Sequence, residues 1–201
     1  MYELVEEAMK VLREPTDDFD FDNPPEDPKE IEKNLAEAME RFGGIGLSAN
    51  QLGLKYRVFV MRTADSGIKA FFNPEITMMS QETELQKEGC LSFPDIYLMI
   101  KRPKAIELEY TDAEGEKQRL QLEGLGARCV QHELDHLNGI IFLQRASKLK
   151  LERAIKARPK ERKKRIEYER RMEIARQLQS LQSQSDSDTD GDGDERPNQV
   201  A

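Results

Sequence analysis

Two histidines stand four residues apart in His132-Glu133-Leu134-Asp135-His136, and a carboxylate follows the first of them. On an α-helix, side chains four positions apart are about 40° apart around the axis and one turn above each other. Both imidazoles can therefore reach one metal ion. Glu133, about 100° around from His132, reaches a water at that ion without being a ligand. This is the layout for metal-assisted hydrolysis, in which the metal acidifies a water and a carboxylate takes its proton. The chain has two histidines in all, and this motif uses both. A catalytic centre needs about three protein ligands and one open position. No histidine lies downstream, and the downstream glutamates fall in a charged segment that makes a poor platform. Cys90, in Glu88-Gly89-Cys90-Leu91-Ser92-Phe93-Pro94, is the better third ligand, on a turn shaped by glycine and proline. Cys129, three residues before His132, falls on the same helical face, about 60° away. A closed structural site with two cysteines and two histidines therefore stays open as the alternative.

A second segment, Gly44-Ile45-Gly46-Leu47-Ser48-Ala49-Asn50-Gln51, is small and glycine-rich. Its backbone can come close to an extended peptide and pair with it. Gln51 offers a neutral donor to a developing oxyanion. The segment lacks the GxGxxG and GK[ST] patterns of phosphate loops.

These groups need elements to hold them. Ile31, Leu35, Met39 and Phe42 at helical spacing predict a helix over 29–42, ended by Gly43-Gly44. Residues 14–30, rich in Pro and Asp, read as an extended loop. Runs at 57–61 and 70–72 read as strands, the second broken by Asn73-Pro74. Residues 105–110 and 119–123 alternate around a turn at 112–116 and predict a β-hairpin. The HExxH helix is expected over 127–138, closed by Gly139. Strands and helices without a βαβ rhythm indicate an α+β fold. Residues 147–181 read as a basic, helix-prone extension interrupted by Pro159, and residues 182–201 as a disordered acidic tail.

The formal net charge of −8 is unevenly spread. Residues 1–146 carry 17 Lys and Arg against 28 Asp and Glu, a net of −11; residues 147–180 carry 13 against 5, a net of +8; residues 181–201 carry 1 against 6, a net of −5. Only the middle segment has the sign for nucleic acid. Two cysteines make no disulfide framework. The N-terminus is acidic and lacks the apolar core of a signal peptide. No apolar run approaches the ~20 residues that span a bilayer. The expected location is a reducing cytosol.

Three segments now stand in order: GIGLSANQ at 44–51, EGCLS at 88–92 and QHELDH at 131–136. Together they resemble the signature motifs of the peptide deformylase family, and the resemblance covers roughly residues 10–146. It implies an α+β domain, residues 1–146, with small antiparallel sheets packed around the HExxH helix. It implies hydrolysis of the N-formyl group of nascent formyl-Met proteins, with release of formate. The metal is natively Fe²⁺ in many members, and Zn²⁺, Ni²⁺ or Co²⁺ can take its place. By resemblance, Cys90, His132 and His136 are the ligands and Glu133 is the base and then the acid. Gln51 and the Leu91 N–H hold the oxyanion. Ile45, Gly46 and Gly89 pair with the substrate backbone, while Ile45, Leu125, Cys129 and the wall of His132 line a methionine pocket. Glu88 and Arg102 pair beneath the site. Two departures stand out: Ser48 where the family usually has Ala, and the basic-then-acidic ending. In bacterial members a basic C-terminal helix can dock on the ribosome, a part open to residues 147–180. No membrane partner is expected, and a monomer is favoured.

Overall fold

The structure is a computed structural model of the chain, and it describes residues 2–63 and 67–188. Two compact units divide it, Met1–Ala157 and Arg158–Ala201.

In the first unit, seven strands form two antiparallel sheets. They are β1 (Gly46–Ser48), β2 (Val58–Thr63), β3 (Gly67–Met79), β4 (Thr83–Cys90), β5 (Phe93–Pro103), β6 (Ala105–Thr111) and β7 (Lys117–Glu123). The order is β1-β2-β3-β6-β7 in the larger sheet and β4-β5 in the smaller. The helices are α1 (Pro28–Arg41), α2 (Gly124–Leu137) and α3 (Lys148–Asp188).

The unbroken apolar run Val58-Phe59-Val60-Met61 follows from a strand covered on both faces. Val58 and Val60 join a cluster with Leu35 and Met39 of α1. Phe59 and Met61, pointing the other way, join Val130, Leu134 and Leu137 of α2. Adjacent residues on β3 divide alike, with Ala70 and Phe72 toward α1 and Phe71 toward α2. Asp27 caps α1 by accepting from the Lys29 N–H at 3.0 Å. A third cluster joins Phe93, Ile96, Leu98 and Ile100 of β5 to Leu12, Ile141 and Phe142. Leu151 and Ala154, in the first turns of α3, pack against it.

Five expectations need correction. Asn73-Pro74 does not end β3. The ladder to β6 shifts register between Phe72 and Glu75, and Asn73 (φ 47°) braces the irregularity by exchanging two hydrogen bonds with the Phe19 backbone. The β4–β5 hairpin is longer than the turn expected around 88–94. α2 starts three residues earlier than expected, at Gly124, directly after β7. Pro159 does not interrupt α3, which contains it. A proline removes one helical N–H, and good helix formers with pairs such as Arg165–Glu169 and Arg171–Glu167 continue beyond it. α3 also runs to Asp188, past the expected start of disorder at 182. The remainder of that expected tail, 189–201, lies outside the described residues.

Candidate metal centre

α2 supplies His132, Glu133 and His136 from one buried face. Cys90 arrives from the end of β4, where it closes the register shift that begins at Glu88. The ligand atoms of Cys90, His132 and His136 lie within 4.8 Å of one another, the one such group among the described residues. Cys90 Sγ is 3.1 Å from His136 Nε2. Around a tetrahedral ion with ordinary Zn–S and Zn–N bond lengths, such atoms sit about 3.5 Å apart, so the donor set fits a divalent cation. Glu133 Oε2 is buried beside it with no protein partner. Cys129 is outside the group. Its Sγ faces Gly46 instead, and burial, then Glu133 and Glu88, push its thiol well up, which disfavours the thiolate a metal needs.

Gly46 explains how β1 reaches the site. A Cβ there would meet Cys129 Sγ and Glu133 Oε1, each at 2.6 Å. Only a residue without a side chain lets β1 lie against α2 at this point. Gly139 (φ 71°) does the same after α2, where a Cβ would strike the Arg13–Glu14 backbone at 2.8 Å.

Burial pushes the Glu133 carboxyl up to about 7, against the pull of His132, Ser48 and Arg102. A carboxyl so poised can both take and return a proton near neutrality. Burial, then His132 and Arg102, push His136 well down, leaving the neutral imidazole that ligates metals. Burial also opposes charge on His132, but Cys90 and Glu88 outweigh it and hold its pKa up to about 10. A cation in the site competes with that proton.

Beneath Cys90, His132 and His136 lies a buried ionic layer. Glu88 accepts from Arg102 Nε and Nη2 at 2.8 and 2.9 Å, and its Oε2 is 3.2 Å from His132 Nδ1. Burial works against its charge, yet His132 and Arg102 prevail and hold it down to about 2. Arg102 Nη1 also reaches Asp135 at 2.8 Å. Arg128 binds Glu88 and the carbonyls of Ile100 and Glu84 at 3.1 and 2.8 Å, tying α2 to both strands of the Cys90 hairpin. Arg145 pairs with Asp135. The sequence points to Glu88 and Arg102 here, and not to Arg128, Asp135 or Arg145. Asp135 lies inside the HExxH stretch, and its signal is a carboxylate three residues after the first histidine of the motif.

Gln51 is buried in a short 3₁₀ turn, Ala49–Leu52, directly after β1. Asn50 anchors that turn to α2, its Nδ2 donating to the His136 carbonyl at 2.6 Å. Leu91 is half-buried and Gly89 exposed at the end of the β4–β5 hairpin. Ile45 (48%) and Leu125 (61%) are exposed apolar residues, a state that leaves them free to meet a ligand.

Known proteins resemble this chain in sequence and in fold. The family model for polypeptide deformylase matches residues 1–152. A peptide deformylase of Rhizobium meliloti (strain 1021) is 41% identical over 134 residues, 65% of this chain and 77% of the relative. One from Wolbachia pipientis is 42% identical over 147 residues, 67% and 82% of the two chains. The crystal structure of the Thermotoga maritima peptide deformylase superposes with a TM-score of 0.68 at 39% identity, covering 73% of this chain and 98% of that one. A Synechococcus elongatus peptide deformylase in complex with actinonin gives 0.72 at 33%, covering 79% and 86%. Sequence and fold agree with these relatives, and the chain belongs to the polypeptide deformylase family, metal-dependent hydrolases that remove the N-formyl group from nascent proteins.

Proposed function

We propose that this chain deformylates formyl-Met peptides with Cys90, His132 and His136 as metal ligands and Glu133 as the proton carrier. The observation that carries the reading is the buried Glu133 carboxyl, with one unpartnered oxygen, beside the Cys-His-His group. When bound, the divalent ion supplies Lewis acidity toward water and the formyl carbonyl. Glu133 takes a proton from the attacking water. Gln51 Nε2 and the Leu91 N–H donate to the carbonyl oxygen as negative charge builds on it. Glu133 then protonates the leaving amine, the C–N bond breaks and formate departs. β1 and β4 each have one neighbouring strand in their sheets, so Gly46 and Gly89 lie on edge strands, the kind of strand that pairs with an extended peptide. Ile45, Leu125 and Cys129 offer apolar surface to its methionine. Glu88 and Arg102 orient His132 from below.

A thiolate–imidazole set does not select sharply among Fe²⁺, Zn²⁺, Ni²⁺ and Co²⁺. We infer Fe²⁺ as the native ion, which makes activity decay in air and persist after Zn²⁺ or Ni²⁺ loading. No helix among the described residues is long and apolar enough to cross a membrane. A substrate class of nascent formyl-Met chains places the proposed activity in the compartment of their synthesis, and we infer a monomer. Residues 147–180, net +8, suit an RNA-rich partner such as the ribosome, through contacts that weaken steeply with salt. Formate release from a formyl-Met tripeptide, by protein purified without oxygen, tests the activity. Glu133→Ala should keep a full complement of metal and lose about 10²–10⁴-fold in turnover. Near-normal turnover in that metal-loaded variant would remove Glu133 from its role.

A further inference from the structure

The two ends of a glutamine amide are nearly equal in size, so its hydrogen-bond partners decide which end faces where. At Gln51 the backbone N–H of Ser48 can only donate, and it lies 3.0 Å from Oε1. The Ser48 hydroxyl is also 3.0 Å from Oε1. The oxygen end is therefore fixed toward Ser48, and Nε2 must face the β4–β5 hairpin. There it donates to Ser92 Oγ at 3.0 Å and stands 3.6 Å from Cys90 Sγ. Ser92 is itself buried, between Cys90 and the core residue Phe93. One N–H is thus committed to Ser92, and the other is directed to the Cys90 side, where the metal group lies.

We infer that Ser92 is a positioning residue that aims the Gln51 amide at the reacting carbonyl. This rests on Gln51 being the oxyanion donor. Without the Ser92 hydroxyl, Oε1 stays anchored but Nε2 keeps only the weak sulfur contact, and the amide plane can turn. The aimed N–H matters most when the carbonyl oxygen carries charge, so the loss falls on kcat and leaves KM in place.

A double-mutant cycle on the metal-loaded full chain tests this. Ser92→Ala should lower kcat about tenfold, the worth of one well-placed hydrogen bond, with KM and metal content unchanged. In a Gln51→Ala background the same substitution should change kcat less than about twofold, because the group it aims is gone. Should Ser92→Ala not fold, Ser92→Cys, close in volume with a weaker acceptor, takes its place in the cycle. A drop in kcat of equal size in both backgrounds, or one accompanied by metal loss, overturns the role of Ser92. If Gln51→Ala alone leaves kcat unchanged, the oxyanion assignment itself is overturned, and the Ser92 proposal with it.

Discussion

Gly46→Ala adds one methyl group, and its effect can be worked from two distances. The new Cβ would lie 2.6 Å from both Cys129 Sγ and Glu133 Oε1, while ordinary contact begins near 3.4 Å. Either the strand or both facing side chains must therefore move by about 0.8 Å. β1 is bound to β2 at Gly46↔Met61, Leu47↔Val60 and Ser48↔Phe59, so the strand gives little. Cys129 sits in a packed cluster. The Glu133 carboxylate yields the more readily of the two, leaving the sulfur contact as packing strain, and a displacement near 1 Å at a reacting group costs about 10²-fold in rate. Overpacking of this kind destabilises by about 1–3 kcal/mol. Alanine's smaller backbone entropy loss offsets about 0.5–1 kcal/mol of that. At about 2–4 °C per kcal/mol for a chain of this size, Tm should fall by only a few degrees. The expected signature is a folded, metal-loaded protein with kcat about 100-fold down. Continuous measurement of formate, with metal analysis and a thermal scan on the same sample, reads all three quantities. Adding Cys129→Ala should recover stability more than turnover, since it relieves the sulfur clash and leaves the carboxylate one. Metal-replete Gly46→Ala with kcat within threefold of the parent would refute the reasoning.

Three further outcomes are expected. X-ray absorption on the metal-loaded protein should count one sulfur and two imidazoles; two sulfurs would restore the closed site with Cys129. Arg102→Leu takes one buried partner from each of Glu88 and Asp135, which keep Arg128 and Arg145, so stability should fall toward the low end of about 3–5 kcal/mol and metal affinity by about 10–100-fold. A thermal scan that changes by less than a degree or two would contradict it. Truncation after Ala157 should leave tripeptide turnover within a few-fold. Truncation after Ala146 also removes Leu151 and Ala154 from the third cluster, and denaturation should then show a loss of roughly 1–3 kcal/mol; equal stability of the two truncations would count against that packing.

Short-range spacing made the chemistry legible. His132, Glu133 and His136 lie on one helix, and helical geometry alone places them together. GIGLSANQ and EGCLS completed the family resemblance, and α1 and the β6–β7 hairpin were visible because their apolar periods are clean. The β4–β5 sheet was hidden because its face code is blurred. Tyr97 and Met99 are exposed yet apolar, so β5 does not alternate in polarity, and Gly89 and Pro94 imitate a loop. β3 was cut short because Asn73-Pro74 reads as a break until Phe19 is known to brace it. Which side chains share the site across the two sheets depended on tertiary structure. Cys90 lies 42 residues from His132 in sequence, and only the packing of the hairpin on α2, through Arg128 and the Glu88–Arg102–Asp135 pairs, sets its distance. Cys129 was ambiguous for the same reason: a helical wheel gives its angle, and only the approach of Gly46 turns its sulfur toward β1 and away from the metal group. Local spacing carries angles around one axis, whereas long-range ionic and steric contacts carry the distances between elements.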